Sequence, residues 1–322
     1  DSATGIPVIS LYGKKRRPSA EDLADVDVLL FDIQDVGVRF YTFISSLEEY
    51  MIAAFENKKP LIILDRPNPN GFYVDGPVLE KPFKSFIGMQ PVPIVYGMTI
   101  AEYAMMIAGE QWLSEKANAQ YAYYKTAQNS VDTNFHFQVI KCINYTHKSR
   151  YSLPVKPSPN LPHLQSIYWY PTTCFFEGTV LSEGRGTDHP FCIFGHPSIP
   201  KEGKYNFTPT SRDGAKEPKL KDQLCYGWNL YNKDINKVNQ LVDGKIQISY
   251  LLEAYKLFPN KEQFFLQAKS GKSADFFFNK LAGNSDLMQQ LKDGKSEQEI
   301  RASWQPKLSE FKKIRKKYLL YD

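Results

Sequence analysis

The sequence predicts an α/β protein in which a doubly wound parallel sheet is followed by a second, smaller α+β domain. Three observations support this prediction. Apolar, β-branched runs alternate with helical patterns in the first half, prolines crowd residues 153–162, and turn-rich, strand-like pieces follow. Strands that are apolar throughout and are separated by helices are typical of a parallel sheet covered on both faces.

The first half supplies the elements of this sheet in order. Strands are predicted at residues 6–11, 28–33 and 60–64, and helices at residues 19–25, 41–56 and 99–113. The helix at 41–56 carries Ile44, Leu47, Met51 and Phe55 on one face, which is the spacing of a helix that packs on a core. Thr99 is the predicted N-cap of the next helix, at residues 99–113, and Glu102 stands at the capping-box position of that helix. The resulting βαβαβ order favours a parallel sheet.

A proline-rich segment separates the two predicted domains. Four prolines within residues 153–162 oppose regular structure, so we place the boundary there, between domains 1–155 and 156–322. Beyond it, residues 173–176 and 190–194 are strand-like, and helices are predicted at 249–257 and 296–318.

Composition excludes several classes of function. The net charge of +5 is too small for a nucleic-acid footprint, and the basic run at 312–317 is the exposed face of the predicted terminal helix. The cysteines and histidines lack metal-ligand spacing, so neither a metal nor another cofactor is expected. The sequence also contains no apolar run of about 18 residues and no signal-peptide pattern at residue 1, so no integral membrane segment is expected.

Polar side chains follow two of the predicted strands. Ligands of open parallel sheets bind beyond the carboxyl ends of the strands, so these side chains are candidate binding residues. They are Asp32, Gln34, Asp35, Arg39 and Tyr41 after one strand, and Asp65, Arg66 and Asn68 after the next. The alternative interpretation is structural, with Asp32 and Asp65 capping the following segments and Arg39 and Arg66 pairing with them.

A glycine-studded polar segment at residues 177–187 is the second candidate site. It contains Glu177, Glu183, Arg185 and Thr187 between apolar stretches. Two neighbouring carboxylates can divide into a general acid and a base or electrostatic stabiliser, as in glycoside cleavage. The alternative is a glycine-rich turn in which Glu183 and Arg185 form a structural ion pair. Because the glycine spacing fits neither a phosphate loop nor a dinucleotide fingerprint, no nucleotide is expected.

Several motifs together resemble the exo-β-N-acetylmuramidase family of peptidoglycan hydrolases, and the resemblance spans essentially the whole chain. The motifs are Asp32-Ile33-Gln34-Asp35-Val36-Gly37-Val38-Arg39-Phe40-Tyr41-Thr42, Leu64-Asp65-Arg66-Pro67-Asn68-Pro69, Gly97-Met98-Thr99, Pro157-Ser158-Pro159-Asn160-Leu161-Pro162, Phe176-Glu177-Gly178-Thr179, Ser182-Glu183-Gly184-Arg185-Gly186-Thr187, Ile300-Arg301-Ala302-Ser303-Trp304 and Tyr318-Leu319-Leu320-Tyr321.

The resemblance implies an exported bacterial enzyme, periplasmic, outer-membrane-associated or extracellular, that releases N-acetylmuramic acid from the non-reducing end of muropeptide-derived saccharides. It implies a Rossmann-like first domain and an active-site cleft between the two domains. Family members usually begin with a further segment carrying a Pro-Glu-His-Gly motif, whose glutamate is a candidate catalytic acid, and this sequence does not contain that segment.

We therefore hypothesise a glycosidase with Glu177 and Glu183 as candidate catalytic carboxylates. Arg185 and Arg39 are expected to hold the lactyl carboxylate of the sugar, since a cationic clamp distinguishes muramic acid from glucosamine. Asp35, Asn68, Asn160 and Tyr41 are expected to bind hydroxyl or acetamido groups. The competing hypotheses are a non-catalytic protein that binds muropeptides or other acidic saccharides, and a transferase that uses a nucleotide sugar.

Overall fold

The structure is a computed structural model that describes residues 1–126 and 136–322. Its strands are β1 (Leu29–Phe31), β2 (Leu61–Leu64), β3 (Asp75–Val78), β4 (Pro93–Val95), β5 (Phe137–Ile140), β6 (Ile193–His196), β7 (Tyr205–Phe207) and β8 (Cys225–Asn229). Its α-helices are α1 (Phe43–Glu56), α2 (Ile100–Gly109), α3 (Glu115–Thr126), α4 (Leu164–Thr173), α5 (Ile235–Val242), α6 (Ile248–Leu257), α7 (Phe277–Ala282), α8 (Asp286–Lys292) and α9 (Glu297–Lys316).

A parallel sheet organises the first half of the chain, in the order β1-β2-β5. Because successive strand side chains face opposite sides, Leu29, Phe31, Leu61 and Ile63 lie together on one face, buried in one core with residues of α1, α2 and α3. On the other face Leu30 and Ile140 remain 53% and 45% exposed among the described residues. The predicted fold class is confirmed, although this second face is only partly covered.

Most predicted elements of the first half are present, and the structure corrects two of them. The predicted strands at 28–33 and 60–64 are present as β1 and β2, and the predicted helices at 41–56 and 99–113 as α1 and α2. The predicted capping box is also present, because the side chains of Thr99 and Glu102 each bond to the backbone N–H of the other residue. Residues 6–11 form no strand and expose their apolar side chains, because no described strand pairs with them. Residues 19–25 form successive turns held by Ser19 and Asp22 rather than a helix.

Two elements of the first half have no clear sequence signal. Helix α3 has only one buried residue, Ala117, so its sequence lacks the apolar stripe that predicts an amphipathic helix. Strand β5 is only four residues long and alternates half-buried with exposed side chains, and its pairing with β2 decides its conformation.

The second half contains a small antiparallel sheet in the order β6-β8-β7, and Phe194 of β6 lies in a core shared with residues of α4 and α6. The proline-rich residues 153–162 carry no helix or strand, as predicted, and the predicted helices appear as α6 and α9. The strand-like interpretation of residues 173–176 is wrong, since this stretch ends α4 and begins a 3-10 turn. The prediction at 190–194 overlaps β6 only at its end.

One hydrophobic core crosses the proline-rich segment. It contains Val36 and Val38 from the first half together with Phe175, Phe176 and Trp304 from the second. Helix α9 extends the connection, because Phe311 lies in the core beneath the parallel sheet. The two halves are therefore packed against each other as one body, and the boundary at residues 155/156 stays a prediction.

The four cysteines all lie within the described residues and form no disulfide; three of them are buried and Cys142 is half-buried. Across residues 1–126 and 136–322, no helix combines the length and apolar character that a membrane span needs.

Candidate active site

The glycine-rich segment starts directly after helix α4. A 3-10 turn over Cys174–Gly178 carries Glu177, and Gly178 allows this turn to lie against α7, because a Cβ there would approach Phe278 Cα to 2.5 Å. Ser182 then exchanges backbone hydrogen bonds with Gly195 of β6. Gly184 has a φ of +83°, a left-handed conformation that favours glycine and turns the chain between Glu183 and Arg185.

These local features bring both candidate carboxylates to the same guanidinium. Arg185 Nη2 donates to Glu177 Oε1 at 2.5 Å, and Arg185 Nε lies 3.3 Å from Glu183 Oε1. The Glu183 side chain is almost fully buried, whereas that of Glu177 is 20% exposed. Burial raises the pKa of Glu177, and the charge of Arg185 opposes this shift. The Glu183–Arg185 ion pair of the structural alternative is therefore present, and Arg185 binds the second candidate carboxylate, Glu177, as well.

Lys219 completes the cluster and was missed by sequence reasoning. Its Nζ lies 2.9 Å from Glu183 Oε2 and also within 3.1 Å of the carbonyl oxygens of Phe176, Thr179 and Leu181. The ammonium therefore fixes the backbone of the glycine-rich segment while it neutralises Glu183. No signal in the sequence marks this lysine, because it stands in a polar loop remote from the segment that it contacts.

The cluster lines a cavity of about 470 Å³, within the size range of small-ligand sites. Its lining residues are Glu177, Glu183, Arg185, Gly214, Ala215, Lys216, Glu217, Pro218, Lys219 and Phe277. All of them belong to the predicted second domain, whereas the resemblance implies a cleft between domains; that placement stays a prediction.

The polar residues at the strand ends do not line this cavity. Asp32 and Arg66 form an exposed ion pair at 2.6 Å, and the Gln34 amide donates to the carbonyls of Asp35 and Pro67. Asp65 accepts hydrogen bonds from Ala101 N and from Tyr321 Oη. It therefore binds an N–H of the first turn of α2, whose N-cap is Thr99, rather than capping the segment that directly follows it.

Asp35 and Tyr41 lie deeper, near the contact between the two halves. Asp35 Oδ2 accepts from the Gly37 amide at 2.6 Å and from the Tyr96 hydroxyl, while its Oδ1 has no partner among the described residues. Burial raises the pKa of Asp35 to about 6. Tyr41 donates its hydroxyl to the carbonyl of Pro157, which ties the strand end to the proline-rich segment.

Asn160 and Thr187 are the predicted binding residues that approach the cavity wall. Asn160 Nδ2 donates to the carbonyl of Gly214, a cavity-lining residue, at 2.8 Å. Thr187 Oγ1 donates to the carbonyl of Gly184 at 2.6 Å and thereby stabilises the turn after Glu183.

Two of the predicted binding residues, Arg39 and Asn68, are buried. Arg39 is 0% exposed, and its Nη1 and Nη2 donate to four carbonyls, those of Pro77, Val92, Leu281 and Ala282. Asn68 is also buried, with its amide bonded to Met98 O and Asn70 N. Both side chains are buried, and apart from Arg39 Nε, which has no partner among the described residues, their hydrogen-bonding groups bond to backbone atoms. The structure therefore gives no support to sugar contact by Arg39 or Asn68, and that role stays a prediction.

Two carboxylates beside a cation in a sugar-sized cavity are typical of a glycosidase, and comparison with known proteins agrees with this class. The family described as Exo-beta-N-acetylmuramidase NamZ matches with its N-terminal part over residues 1–165 and its C-terminal part over residues 168–321. The chain therefore belongs to the exo-β-N-acetylmuramidase family.

Three similar proteins each match this chain over all of its 322 residues. The Peptidoglycan beta-N-acetylmuramidase NamZ of Bacillus subtilis (strain 168) is 36% identical over 339 residues, covering 100% of this chain and 74% of that protein. Two DUF1343 family proteins of Bacteroides fragilis with solved crystal structures are also similar. The first has a TM-score of 0.85 and 42% sequence identity, and the second has a TM-score of 0.79 and 29% identity. Each match covers 100% of this chain and 82% of the Bacteroides chain.

Proposed function

We propose that the protein is an exo-acting β-N-acetylmuramidase that releases N-acetylmuramic acid from the non-reducing end of peptidoglycan fragments. The observation that carries the proposal is the cluster of Glu177, Glu183, Arg185 and Lys219 on one wall of a cavity of about 470 Å³. Membership of the family and the name of the Bacillus relative support the same substrate class.

In the proposed reaction, Glu177 is the general acid and Glu183 is the electrostatic stabiliser. Glu177 donates its proton to the glycosidic oxygen as the bond from that oxygen to the anomeric carbon breaks. Water adds to the anomeric carbon and passes a proton to the Glu177 carboxylate, which restores the acid, so that the products are the free sugar and the shortened saccharide. Glu183, held by two cations, contributes fixed negative charge near the positively charged sugar ring of the transition state.

Arg185 is the proposed recognition group for the lactyl carboxylate. Its side chain is 32% exposed and lines the cavity, and among the described residues its Nη1 has no partner. Nη1 is therefore free to bind a carboxylate, and Nη2 beside it, which already donates one hydrogen to Glu177, carries a second N–H. A neutral glucosamine derivative lacks this contact.

A chromogenic β-glycoside of N-acetylmuramic acid tests the proposal. Wild-type protein should release the chromophore without an added nucleotide-sugar donor, and Glu177→Gln should lower kcat by about 10²- to 10⁴-fold, the usual contribution of a general acid. Glu217→Gln is the matched control, because Glu217 lines the same cavity but is exposed and pairs with Lys221.

Other outcomes would favour the competing hypotheses. Binding of the glycoside without release of the chromophore would identify a binding protein, and turnover only with an activated donor would identify a transferase. Full activity of Glu177→Gln would remove Glu177 from the reaction.

We also propose that the protein acts outside the cytoplasm, in the periplasm, at the outer membrane or extracellularly, and binds neither nucleic acid nor nucleotide. The support is chemical, since peptidoglycan is a cell-wall polymer and the net charge is only +5. Immunodetection in fractionated cells would test the location, and recovery solely in the cytoplasmic fraction would contradict it.

A further inference from the structure

The charges within the Glu177 cluster are balanced before any ligand binds. Glu177 and Glu183 contribute two negative charges, and Arg185 and Lys219 contribute two positive charges at distances of 2.5 to 3.3 Å. The other charged groups of the cavity wall have partners of their own: Lys216 pairs with Asp213, and Glu217 pairs with Lys221. No unpaired cation therefore remains in this cavity wall, which lies entirely within the described residues, to neutralise an additional anion.

A carboxylate ligand on Arg185 would change this balance. It would occupy the open edge of the guanidinium, next to the Nη2 atom that already holds Glu177. Three carboxylates would then share two cations in a partly buried site. A like charge within about 4–6 Å disfavours the ionised form of a carboxyl group, so one of the three is expected to take up a proton.

Glu177 is the member of the cluster best placed to accept that proton. It is in direct contact with one cation, Arg185, and the charge of Lys219 lowers its pKa from a greater distance, whereas Glu183 contacts both Arg185 and Lys219. The groups that face Glu177 from the preceding helix and turn, Tyr170 and Cys174, supply no positive charge. Burial already raises the pKa of Glu177 in the free protein, and Arg185 is the principal group opposing that shift.

We propose that the carboxylate of the substrate, by binding Arg185, causes Glu177 to take up the proton that it then donates in catalysis. This inference rests on the proposed function and adds activation of the enzyme by its own substrate. The substrate's acidic group would serve for recognition and would also convert the enzyme to its active protonation state. Discrimination against neutral amino sugars would then appear in kcat as well as in KM, because a neutral ligand leaves Glu177 ionised.

Calorimetric titration with free N-acetylmuramic acid tests the inference without requiring turnover. The binding enthalpy is measured at pH 7 in buffers of different ionisation enthalpy, and its slope gives the number of protons taken up. Wild-type protein should take up about one proton per ligand, since the proton count follows the pKa change on binding. N-acetylglucosamine, which lacks the carboxylate, should cause no uptake.

Two variants locate the proton. Glu177→Gln should still bind N-acetylmuramic acid, while the uptake falls to near zero. Glu253→Gln, which removes a carboxylate that is 45% exposed and lies outside this cavity, should behave as wild type, and circular dichroism would establish that both variants are folded.

Three results would overturn the inference: no uptake by wild-type protein, undiminished uptake by Glu177→Gln, or no binding of N-acetylmuramic acid. The chromogenic assay remains an independent test of the reaction, so loss of the proton coupling with retained hydrolysis would reject this inference alone.

Discussion

Replacing Arg39 with methionine removes the guanidinium that joins the two halves of the chain. Arg39 follows β1, yet two of its four acceptors, the carbonyls of Leu281 and Ala282, lie at the end of α7. The other two acceptors, on Pro77 and Val92, belong to the first half. Methionine fills a similar space with an apolar chain, so the variant mainly removes hydrogen-bond donors.

The expected loss of stability is large. Val92 O keeps the Leu79 amide as a donor, whereas the carbonyls of Pro77, Leu281 and Ala282 lose the guanidinium. Each buried carbonyl left without a donor costs about 1 kcal/mol or more, so these three acceptors together cost about 3 kcal/mol. For a chain of 322 residues, an unfolding entropy of about 2.1 cal/mol/K per residue converts this loss into a fall in Tm of about 4 °C. Differential scanning calorimetry would measure the change.

The control variant is Arg66→Met, which removes an arginine that is 39% exposed and has a single ion pair with Asp32. Its expected cost is below about 1 kcal/mol, as for other surface ion pairs. An unchanged Tm for Arg39→Met, together with a raised KM for muramic but not glucosamine glycosides, would support Arg39 as a substrate clamp and refute the reasoning from burial.

Two further perturbations test the interior of the first half. Burial raises the pKa of Glu48 from 4.5 to about 7. The folded state therefore holds a proton that the unfolded state has lost, and stability decreases as pH rises from 4.5 to 7. Glu48→Gln does not titrate, so between pH 4 and pH 8 its unfolding free energy should gain about 3 kcal/mol relative to wild type in urea titrations; parallel pH profiles would contradict this. Gly37→Ala should cost about 3 kcal/mol, because φ is +77° and the new Cβ would meet Asn68 Oδ1 at 2.1 Å. Gly203→Ala, which also has a positive φ but open space around it, should cost only about 1 kcal/mol, and equal losses would show that the contact with Asn68 is unimportant.

Hydrophobic periodicity predicted the elements that bury a regular apolar face. Helix α1 was predicted because Ile44, Leu47, Met51 and Phe55 recur at helical spacing, and all four are buried. Residues 6–11 have an equally apolar pattern, but a strand also needs a partner to receive its hydrogen bonds. That partner is a property of the fold and cannot be read from the segment itself.

The candidate site shows the same division. The sequence by itself determined the family, the α/β class and the segment that carries Glu177, Glu183 and Arg185, because these depend on residue type and order along the chain. Only the tertiary structure decided that Arg39 is buried, that Lys219 pairs with Glu183, and that Asp65 bonds to the first turn of a helix. Burial and charge pairing of this kind arise from residues far apart in sequence. For the segment at residues 177–187, Glu177 and Glu183 both pair with Arg185 inside the segment, whereas the second cation on Glu183 is a lysine 36 residues beyond it, which only folding brings within 2.9 Å.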